Sequence, residues 1–313
     1  MTDITAVGEI LIDLTQSGVN EQGIPVFAAN PGGAPANLAV AASRLGASSA
    51  FIGKVGTDSF GTFLRNTLIE NHVDVSGMVT DPHSRTTLAV VALDKTGERT
   101  FSFYRDPSAD VNLRSDEISD DQLKNTKFLH FGSVSLTTDP ARSATLYAAR
   151  RAKELGACIS YDPNYRASLW SDENTAIEAM LEPLPLVDIL KVSDEELPLL
   201  TGTTDLEAGS KILADKGIAL VLVTLGANGA YYRFGSHTGH IPGVKVKVGD
   251  TNGAGDTFFG AALAQLAKFE KLENVSVSEL ETIIAVANKA AALTTSRHGA
   301  IPAMPTYEEV FGA

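Results

Sequence analysis

The chain has 313 residues, of which 44% are hydrophobic and 20% are charged, a balance typical of a globular protein with a sizeable core. Its 25 basic and 38 acidic side chains give a formal net charge of −13, and a surface of that charge repels nucleic acids and anionic lipids. Composition therefore excludes a nucleic-acid-binding protein and a membrane-binding protein as first interpretations.

The cysteine content and the apolar runs predict a cytoplasmic protein. Cys158 is the only cysteine, so no intrachain disulfide can form, and its apolar neighbours Ala157 and Ile159 favour a core position. The N-terminal segment MTDITAVGEILIDL lacks a basic region and contains three acidic residues, which argues against a secretory signal. No run approaches the ~18 apolar residues that a membrane span needs.

Short β-branched runs alternate with helical patterns along most of the chain. We predict strands at residues 4–13, 49–53, 128–131, 158–162, 189–192 and 219–224. We predict helices at residues 34–45, 61–71, 140–155, 256–267 and 278–294. A strand followed by a helix many times over predicts an α/β fold with a Rossmann-like, mostly parallel central sheet and helices on both faces.

Two segments, at about residues 15–30 and 86–110, interrupt this order with the alternation of antiparallel strands. The second segment contains the run LAVVAL, a turn predicted at residues 94–97, and the run RTFSF. We interpret both segments as a small β-sheet lid within one domain that spans residues 1–313. The apolar outer face of such a lid needs cover, which a second copy of the chain in a homodimer could supply.

The strongest motif is DTNGAGD at residues 250–256, which runs directly into an apolar helix. Gly253 and Gly255 would leave backbone N–H groups unhindered at the positive end of this helix, where a phosphate group is favoured. The carboxylate of Asp256 could accept the proton of an attacking hydroxyl as a general base. The structural alternative is that Asp256 caps the helix and the glycines form a tight turn.

A second motif, PGGAPAN at residues 31–37, precedes an alanine-rich helix. Its two glycines let the backbone approach a hydroxylated ligand, and the amide of Asn37 can both donate to and accept from sugar hydroxyls. The alternative is an ordinary strand-to-helix turn with Asn37 in the first turns of the helix. The sequence contains no Walker motif GxxxxGK[ST], so phosphate binding would need another loop.

These two motifs resemble the signatures DTxGAGD and GGxxxN of the pfkB, or ribokinase-like, carbohydrate kinases. The resemblance extends from Gly8 to Pro305, with the motifs in the order of the family. It implies a ribokinase-like fold and ATP-dependent phosphorylation of the primary hydroxyl of a sugar.

The resemblance also implies roles for individual residues in catalysis and sugar binding. Asp256 is expected to be the catalytic base. An anion hole is expected from Asn252, Gly253, Ala254 and Gly255. Asn252 stands where the family usually has threonine, and its backbone N–H can still contribute. The sugar is expected to contact Asp13, Gly33, Asn37 and Asp256, since a carboxylate such as that of Asp13 can hold two vicinal hydroxyls.

Further segments resemble the nucleotide side of the same family. ATP is expected to contact Lys191, Ser193, Glu196, Thr224, Gly226, Gly229, Gly253, Gly255 and Asn288. Glu196 lies in a segment that matches the N-x-x-E motif of the family, with Ser193 in place of the Asn, and is expected to place Mg²⁺ through water. The structural alternative for this acidic segment is a solvated helix start.

A monovalent cation, K⁺, is implied by the same resemblance near the C-terminus. Its ligands are expected from Asp250, Asn252, Thr294, Arg297, Gly299 and Ala303. The last four would contribute backbone carbonyl oxygens. The alanine run in this region is equally expected of any tightly packed helix.

The segments at residues 103–110, 130–136, 161–166 and 191–196 resemble bacterial and plant fructokinases. Their resemblance implies contact with the sugar or the phosphoryl group by Phe103, Arg105, Asp162 and Arg166. D-Fructose, giving fructose 6-phosphate, is therefore the expected substrate. The alternative substrate is 2-keto-3-deoxygluconate, because two arginines also suit a carboxylate, and another substrate of the same family, such as ribose or a nucleoside, comes behind both. The ordinary alternative for both arginines is surface ion pairing.

Two functions of other classes stay open at this point. A catalytically inactive sugar sensor could use the same fold, although the intact Asp256 and its glycines argue against it. A dinucleotide-binding oxidoreductase is disfavoured, because no GxGxxG follows the first predicted strand.

Overall fold

A computed structural model describes residues 1–93 and 99–312, so the turn predicted at residues 94–97 lies outside the described residues. The strands are β1 (Thr2–Val7), β2 (Leu11–Val19), β3 (Pro25–Gly32), β4 (Ser49–Gly56), β5 (Val73–Asp81), β6 (Leu88–Leu93), β7 (Arg99–Tyr104), β8 (Thr126–Gly132), β9 (Cys158–Asp162), β10 (Ile189–Ser193), β11 (Leu220–Thr224), β12 (Ala230–Phe234) and β13 (His237–Ile241). Within these residues they form a nine-stranded and a four-stranded sheet.

The predicted α/β architecture is confirmed. The large sheet has the order β13-β12-β11-β10-β9-β8-β1-β4-β5, and its pairs from β11 through β5 are parallel. Strands β12 and β13 extend one edge as an antiparallel hairpin. The carboxyl ends of the parallel strands therefore meet at one edge, where open α/β sheets bind ligands.

The helices cover both faces of this sheet, as predicted. They are α1 (Ala34–Arg44), α2 (Ser59–Glu70), α3 (Asp120–Lys124), α4 (Ala141–Glu154), α5 (Glu173–Leu181), α6 (Glu196–Thr201), α7 (Leu206–Ala214), α8 (Ala254–Leu266), α9 (Val277–Thr295) and α10 (Tyr307–Phe311). Helices α4 to α7 share one apolar core with the sheet, whereas α1, α8 and α9 share another. Local capping defines several helix starts. The carboxylate of Asp58, for example, accepts a 2.9 Å hydrogen bond from the Gly61 amide before α2.

The single strand predicted at residues 4–13 is wrong, because the chain passes from one sheet to the other within it. Strand β1 belongs to the large sheet and β2 to the small one. Between them Gly8 has φ of 147°, and a Cβ at this position would lie 2.8 Å from Cγ of Pro35. The glycine permits both the turn and the close approach of the Pro35 ring.

The small sheet takes strands from both segments that were predicted to break the main pattern. Its order is β3-β2-β6-β7. Strand β2 pairs antiparallel with β3 and parallel with β6, and β6 pairs antiparallel with β7. The predicted second, smaller sheet is therefore confirmed.

Helices α1 and α8 pack unusually closely on one face of the large sheet. Gly260 in α8 makes this possible, because a Cβ there would lie 2.7 Å from the carbonyl oxygen of Leu38 and 2.9 Å from Cβ of Ala41. The contact brings the first turns of the two helices together. Those turns carry Asn37 and Asp256, one from each of the two sequence motifs.

Two predictions about cellular context meet the structure here. Among residues 1–93 and 99–312, no helix is long and apolar enough to cross a bilayer. Cys158 is half-buried at the start of β9 and packs against the core formed by α8 and α9, so it is less enclosed than its apolar neighbours predicted.

Candidate active site

A cavity lies where the small sheet meets the first turns of α1 and α8 and the loops after β8 and β9. Its wall is formed by Glu9, Leu11, Asp13, Gly33, Ala34, Asn37, Phe103, Val134, Asn164, Arg166, Asn252 and Asp256. The structure thus brings together seven residues that the sequence assigned to the sugar or to catalysis. These are Asp13, Gly33, Asn37, Phe103, Arg166, Asn252 and Asp256.

Asp256 lies in the first turn of α8 and does not cap the helix. The position before the helix is Gly253, which has φ of 73°, and no side chain caps this end. Instead, Oδ2 of Asp256 accepts a 2.8 Å hydrogen bond from Nδ2 of Asn37. The helix-cap alternative for Asp256 is therefore wrong, and Asp256 instead forms part of the cavity wall.

The electrostatic setting of Asp256 suits a proton acceptor. Burial raises the pKa of its carboxyl group, while the hydrogen bond from Asn37 and the charges of Lys191 and Arg166 act in the opposite direction. A general base works best when its pKa lies near the working pH. The balance of burial and cationic neighbours moves Asp256 in that direction.

The start of α8 is open to an anion. A Cβ on Gly255 would lie 2.9 Å from Nζ of Lys191, and a Cβ on Gly253 would lie 2.8 Å from Cβ of Ala300. Gly253, which has φ of 73°, therefore permits the close approach of Ala300, and Gly255 leaves room for the Lys191 ammonium. The N-terminus of a 13-residue helix and the Lys191 ammonium thus lie side by side, and their positive charge favours the binding of phosphate oxygens.

Lys191 and Asp162 form a buried ion pair beside this helix start. Nζ of Lys191 lies 2.8 Å from Oδ2 of Asp162, and Oδ1 of Asp162 has no partner among the described residues. Burial raises the pKa of Asp162 to about 6 against the charge of Lys191. Burial acts to lower the pKa of Lys191, but the carboxylates of Asp162, Glu196 and Asp256 outweigh it, so its pKa is raised.

Glu196 is buried and connects the loop after β9 to the end of β10. Its Oε1 accepts a 2.7 Å hydrogen bond from the Tyr165 amide, and its Oε2 accepts one of 2.8 Å from the Ser193 amide. In turn, Oγ of Ser193 accepts a 3.1 Å hydrogen bond from the backbone amide of Glu196. A solvated helix start is therefore wrong for Glu196, which is 7% exposed.

The residues predicted to lie near the ATP phosphates follow the next strand. Ser193 and Thr224 stand opposite each other at the ends of β10 and β11. Gly226 and Gly229 both have positive φ, and a Cβ on Gly229 would lie 2.1 Å from the carbonyl oxygen of Ile241. Only glycine therefore fits the turn that follows β11.

Asn288 is predicted to contact the nucleotide, but in this structure its side-chain amide is hydrogen-bonded to backbone carbonyl groups. Nδ2 donates to the carbonyl oxygens of Ile241 and Pro242, at 3.0 and 3.2 Å. This ties α9 to the segment after β13. Any contact of Asn288 with a nucleotide would have to use its remaining oxygen.

The segments predicted to bind a monovalent cation lie against each other. Asp250 connects them, since Oδ1 accepts from the Asn252 amide at 2.7 Å and Oδ2 accepts from the Gly299 amide at 3.0 Å. Within the same loop the carbonyl of Thr294 accepts from the Arg297 amide at 3.1 Å, and the Ala303 amide donates to Ala300.

Neither metal would be held by acidic, histidine or cysteine side chains alone. In the part of the chain that the structure describes, no three such side chains form a group that could hold a metal ion. A cation at either predicted site would therefore draw oxygen ligands from backbone carbonyls, water or phosphate as well.

Arg105 does not line the cavity. Its Nε lies 2.7 Å from Oδ2 of Asp110, and its Nη1 donates to Oγ1 of Thr137 at 2.7 Å. The pair is buried, so the surface ion-pair alternative is also wrong for Arg105. Arg166, in contrast, is half-buried on the cavity wall and donates to its neighbouring carbonyl at Tyr165.

Asp13 and Asn252 connect the small sheet to the motif that precedes α8. Nδ2 of Asn252 donates to Oδ2 of Asp13 at 3.4 Å. Burial raises the pKa of Asp13 to about 6, while Asn252 and Arg166 oppose the shift. Asn252 thus contributes through its side chain as well as through its position, which its departure from the usual threonine did not indicate.

Glu9 also lines the cavity, although sequence reasoning assigned it no role. It is 2% exposed, and burial raises the pKa of its carboxyl group to about 7 against its own backbone amide and Arg105. The signal in the sequence was an acidic residue inside an apolar run. That run was interpreted as one strand, which concealed the turn on which Glu9 lies.

Comparison with known proteins agrees with this geometry. Residues 1–307 match the pattern of the pfkB family carbohydrate kinases. The "Probable fructokinase-4" of Arabidopsis thaliana is 44% identical over 310 residues, which cover 98% of this chain and 95% of the relative. The crystal structure of fructokinase with bound ATP from Xylella fastidiosa superposes with a TM-score of 0.92 at 34% identity, covering 99% of this chain and 97% of that one.

A second similar solved structure contains a sugar and a nucleotide. It is a double mutant of fructokinase from Vibrio cholerae O395 in fructose, ADP and potassium ion bound form. It superposes with a TM-score of 0.88 at 37% identity, covering 98% of this chain and 96% of that one.

Proposed function

Because the chain belongs to the pfkB family of carbohydrate kinases, we propose that it transfers the γ-phosphoryl group of ATP to the primary hydroxyl of D-fructose, giving fructose 6-phosphate. The observation that carries this proposal is the half-buried Asp256, which lies on the wall of the cavity and is hydrogen-bonded to Asn37. The fructokinases among its relatives support the choice of sugar.

The reaction follows from the groups around Asp256. Its carboxylate takes the proton of the sugar hydroxyl while that oxygen forms a bond to the γ-phosphorus and the bond from phosphorus to the ADP oxygen breaks. Backbone N–H groups at Gly253 to Gly255 and the ammonium of Lys191 stabilise the charge on the transferring group. Asn37 holds the carboxylate of Asp256 in place throughout.

The residues beside the helix start fit a role for Mg²⁺. Oδ1 of Asp162 is buried without a partner among the described residues, and the carboxylate of Glu196 lies nearby, so both supply the oxygen atoms that Mg²⁺ prefers, directly or through water. When bound with ATP, Mg²⁺ would neutralise charge on the β- and γ-phosphates. Glu196 and Asp162 would then orient its water ligands.

K⁺ fits the loop that Asp250 holds together. The proposed ligands are Asp250, Asn252, Thr294, Arg297, Gly299 and Ala303. They offer a carboxylate, an amide and backbone carbonyl oxygens, the ligand type that hard cations prefer. The potassium ion bound form of the fructokinase double mutant from Vibrio cholerae O395 supports this assignment.

The charges on the cavity wall support a neutral sugar over an acid. Three carboxyl groups, those of Glu9, Asp13 and Asp256, line the cavity together with one arginine, Arg166. The guanidinium of Arg105 is already paired with Asp110. A substrate carboxylate would therefore meet mainly like charge, whereas sugar hydroxyls can donate to these acceptors.

We also propose a cytoplasmic homodimer in which the small sheet acts as a lid. The single cysteine fits a reducing compartment. The small sheet and its turns expose apolar side chains, namely Val19, Ile24, Val26, Phe27 and Tyr104. A patch of this kind is typical of an interaction surface, and a second copy of the same sheet would cover it.

The test is ADP release from ATP and Mg²⁺ with a panel of sugars. We expect the highest kcat/KM with D-fructose. A higher value with 2-keto-3-deoxygluconate would contradict the choice of sugar but leave the kinase assignment in place. Fructose binding without any ADP release would contradict the proposed kinase activity and favour a sugar sensor.

A further inference from the structure

One buried carboxyl group in the cavity has no part in the reaction described above. Glu9 lies between β1 and β2, and its Oε1 accepts a 3.2 Å hydrogen bond from the Ala34 amide. Its Oε2 is buried and has no hydrogen-bond partner among the described residues. Buried polar atoms without partners are rare in folded proteins, because leaving one unpaired is destabilising.

A second acceptor without a partner lies in the same wall. Oδ1 of Asn37 is buried and also lacks a hydrogen-bond partner within the described part of the chain, while Nδ2 of Asn37 is occupied by Asp256. Both Glu9 and Asn37 line the cavity. A ligand that supplied two hydroxyl donors would therefore satisfy both atoms.

The position of Glu9 also makes its orientation well defined. Ala34 is the first residue of α1, and Gly33 before it has no side chain to cap the helix. A Cβ on Gly33 would lie 2.6 Å from the carbonyl oxygen of Glu9, so the two segments are in close contact. With Oε1 held by the Ala34 amide, Oε2 is the oxygen that is left for a ligand.

We propose that Glu9 is a further specificity-determining residue, whose Oε2, when the carboxyl group is ionised, accepts a hydrogen bond from a hydroxyl of a neutral polyhydroxylated sugar in this cavity. The inference rests on the proposed function, since it requires that the cavity hold the sugar. A site that hydrogen-bonds a particular hydroxyl rejects an analogue without it, because the buried acceptor is then left unpaired. A substrate carboxylate at the same place would be repelled.

The experiment compares the unmodified enzyme with Glu9→Gln, using D-fructose and a set of fructose analogues that each lack one hydroxyl. Gln retains an oxygen for the Ala34 amide, so the start of α1 keeps its partner. We expect KM for fructose to rise roughly tenfold, with a smaller change in kcat. The analogue that lacks the hydroxyl bound by Glu9 should have a higher KM than fructose in the unmodified enzyme. In the variant, its KM should be close to that of fructose.

Glu70→Gln, at the exposed end of α2, is the matched control and should leave KM unchanged. Thermal unfolding and KM for ATP would show whether the Glu9 variant is folded. Two results would overturn the inference alone. One is a folded Glu9→Gln enzyme whose KM for fructose is within twofold of normal. The other is a variant in which every analogue raises KM relative to fructose by the same factor as in the unmodified enzyme. Absence of fructose turnover in the unmodified enzyme would overturn the proposed function and this inference with it.

Discussion

The side-chain amide of Asn37 donates a 2.8 Å hydrogen bond to Oδ2 of Asp256 across 219 positions of sequence. Each residue lies in the first turn of its helix, α1 or α8, and the close packing of these helices at Gly260 brings them together. The bond holds the carboxylate in one orientation and favours its charged form. It therefore links the sugar-binding motif to the proposed base.

Asp256→Asn should lower kcat by about 10²- to 10⁴-fold, the usual contribution of general-base catalysis. Asn has nearly the same shape but cannot take the hydroxyl proton, so the fold and the affinity for ATP should change little. ADP release and nucleotide titration are the measurements, with Glu70→Gln as a surface control. Turnover near the normal value in a folded variant would exclude Asp256 as the base.

Asn37→Ala should move the acidic limb of the pH profile of kcat to higher pH. The Asn37 bond stabilises the carboxylate form of Asp256, so its loss raises the pKa of that group further. The base would then need a higher pH to lose its proton. Profiles of kcat against pH, measured with saturating sugar, are the check. An unchanged limb would show that the bond does not control the pKa of Asp256.

Glu9→Gln should change how the free energy of unfolding depends on pH. The pKa of Glu9 is raised from 4.5 to about 7 in the folded protein. Between these two pH values the folded protein therefore keeps a proton on Glu9 that the unfolded chain has lost. Stability from this group is present below pH ~4.5 and is lost as the pH rises towards 7, by roughly 3 kcal/mol in total. Arg105 and Asp110 are the charged groups that act on it most strongly.

Gln cannot lose a proton, so the variant should gain stability relative to the unmodified protein as the pH rises from 4.5 to 8. Urea unfolding at both pH values measures this difference, in which Asp13 and Asp162 cancel because both proteins contain them. Glu70→Gln, at an exposed position, is measured in parallel as the control. Parallel curves for Glu9→Gln would contradict the raised pKa.

Gly260→Ala should destabilise the protein by about 1–3 kcal/mol and lower kcat, because the new methyl group would meet the backbone of α1. Its Cβ would lie 2.7 Å from the Leu38 carbonyl oxygen, which cannot move without α1. Gly209→Ala is the matched control, since there the nearest atom, at 2.9 Å, is Cδ1 of the Leu197 side chain. Equal effects of both variants on kcat would contradict a specific role for the contact between α1 and α8.

Phe27→Glu should convert the proposed dimer to a monomer, because a charge replaces an apolar side chain that is 41% exposed on the small sheet. Phe63→Glu is the matched control, at 42% exposed on α2, and should leave the association unchanged. Sedimentation at micromolar concentration distinguishes the two states. A monomeric unmodified protein would remove the dimer while leaving the kinase proposal intact.

Much of this protein was predictable from patterns that act over short stretches of chain. Alternating β-branched runs and helical periods predicted the parallel sheet with helices on both faces, because these preferences depend on local backbone geometry and burial. The two glycine-containing motifs likewise predicted where α1 and α8 begin. Asp256 and Asn37 could be chosen because each lies beside glycines at a helix start.

Other features depended on contacts between distant parts of the chain. The turn at Gly8 moved β2 into a second sheet, which placed Glu9 in the cavity, and its apolar neighbours had concealed that turn. Arg105 looked available for a sugar until Asp110 and Thr137 were seen to hold it. Hydrogen-bond partners, burial and the resulting pKa of each group are properties of the packed structure, so residue types and their spacing determined the fold and the motifs, while only the tertiary structure decided which polar groups remain open to a substrate.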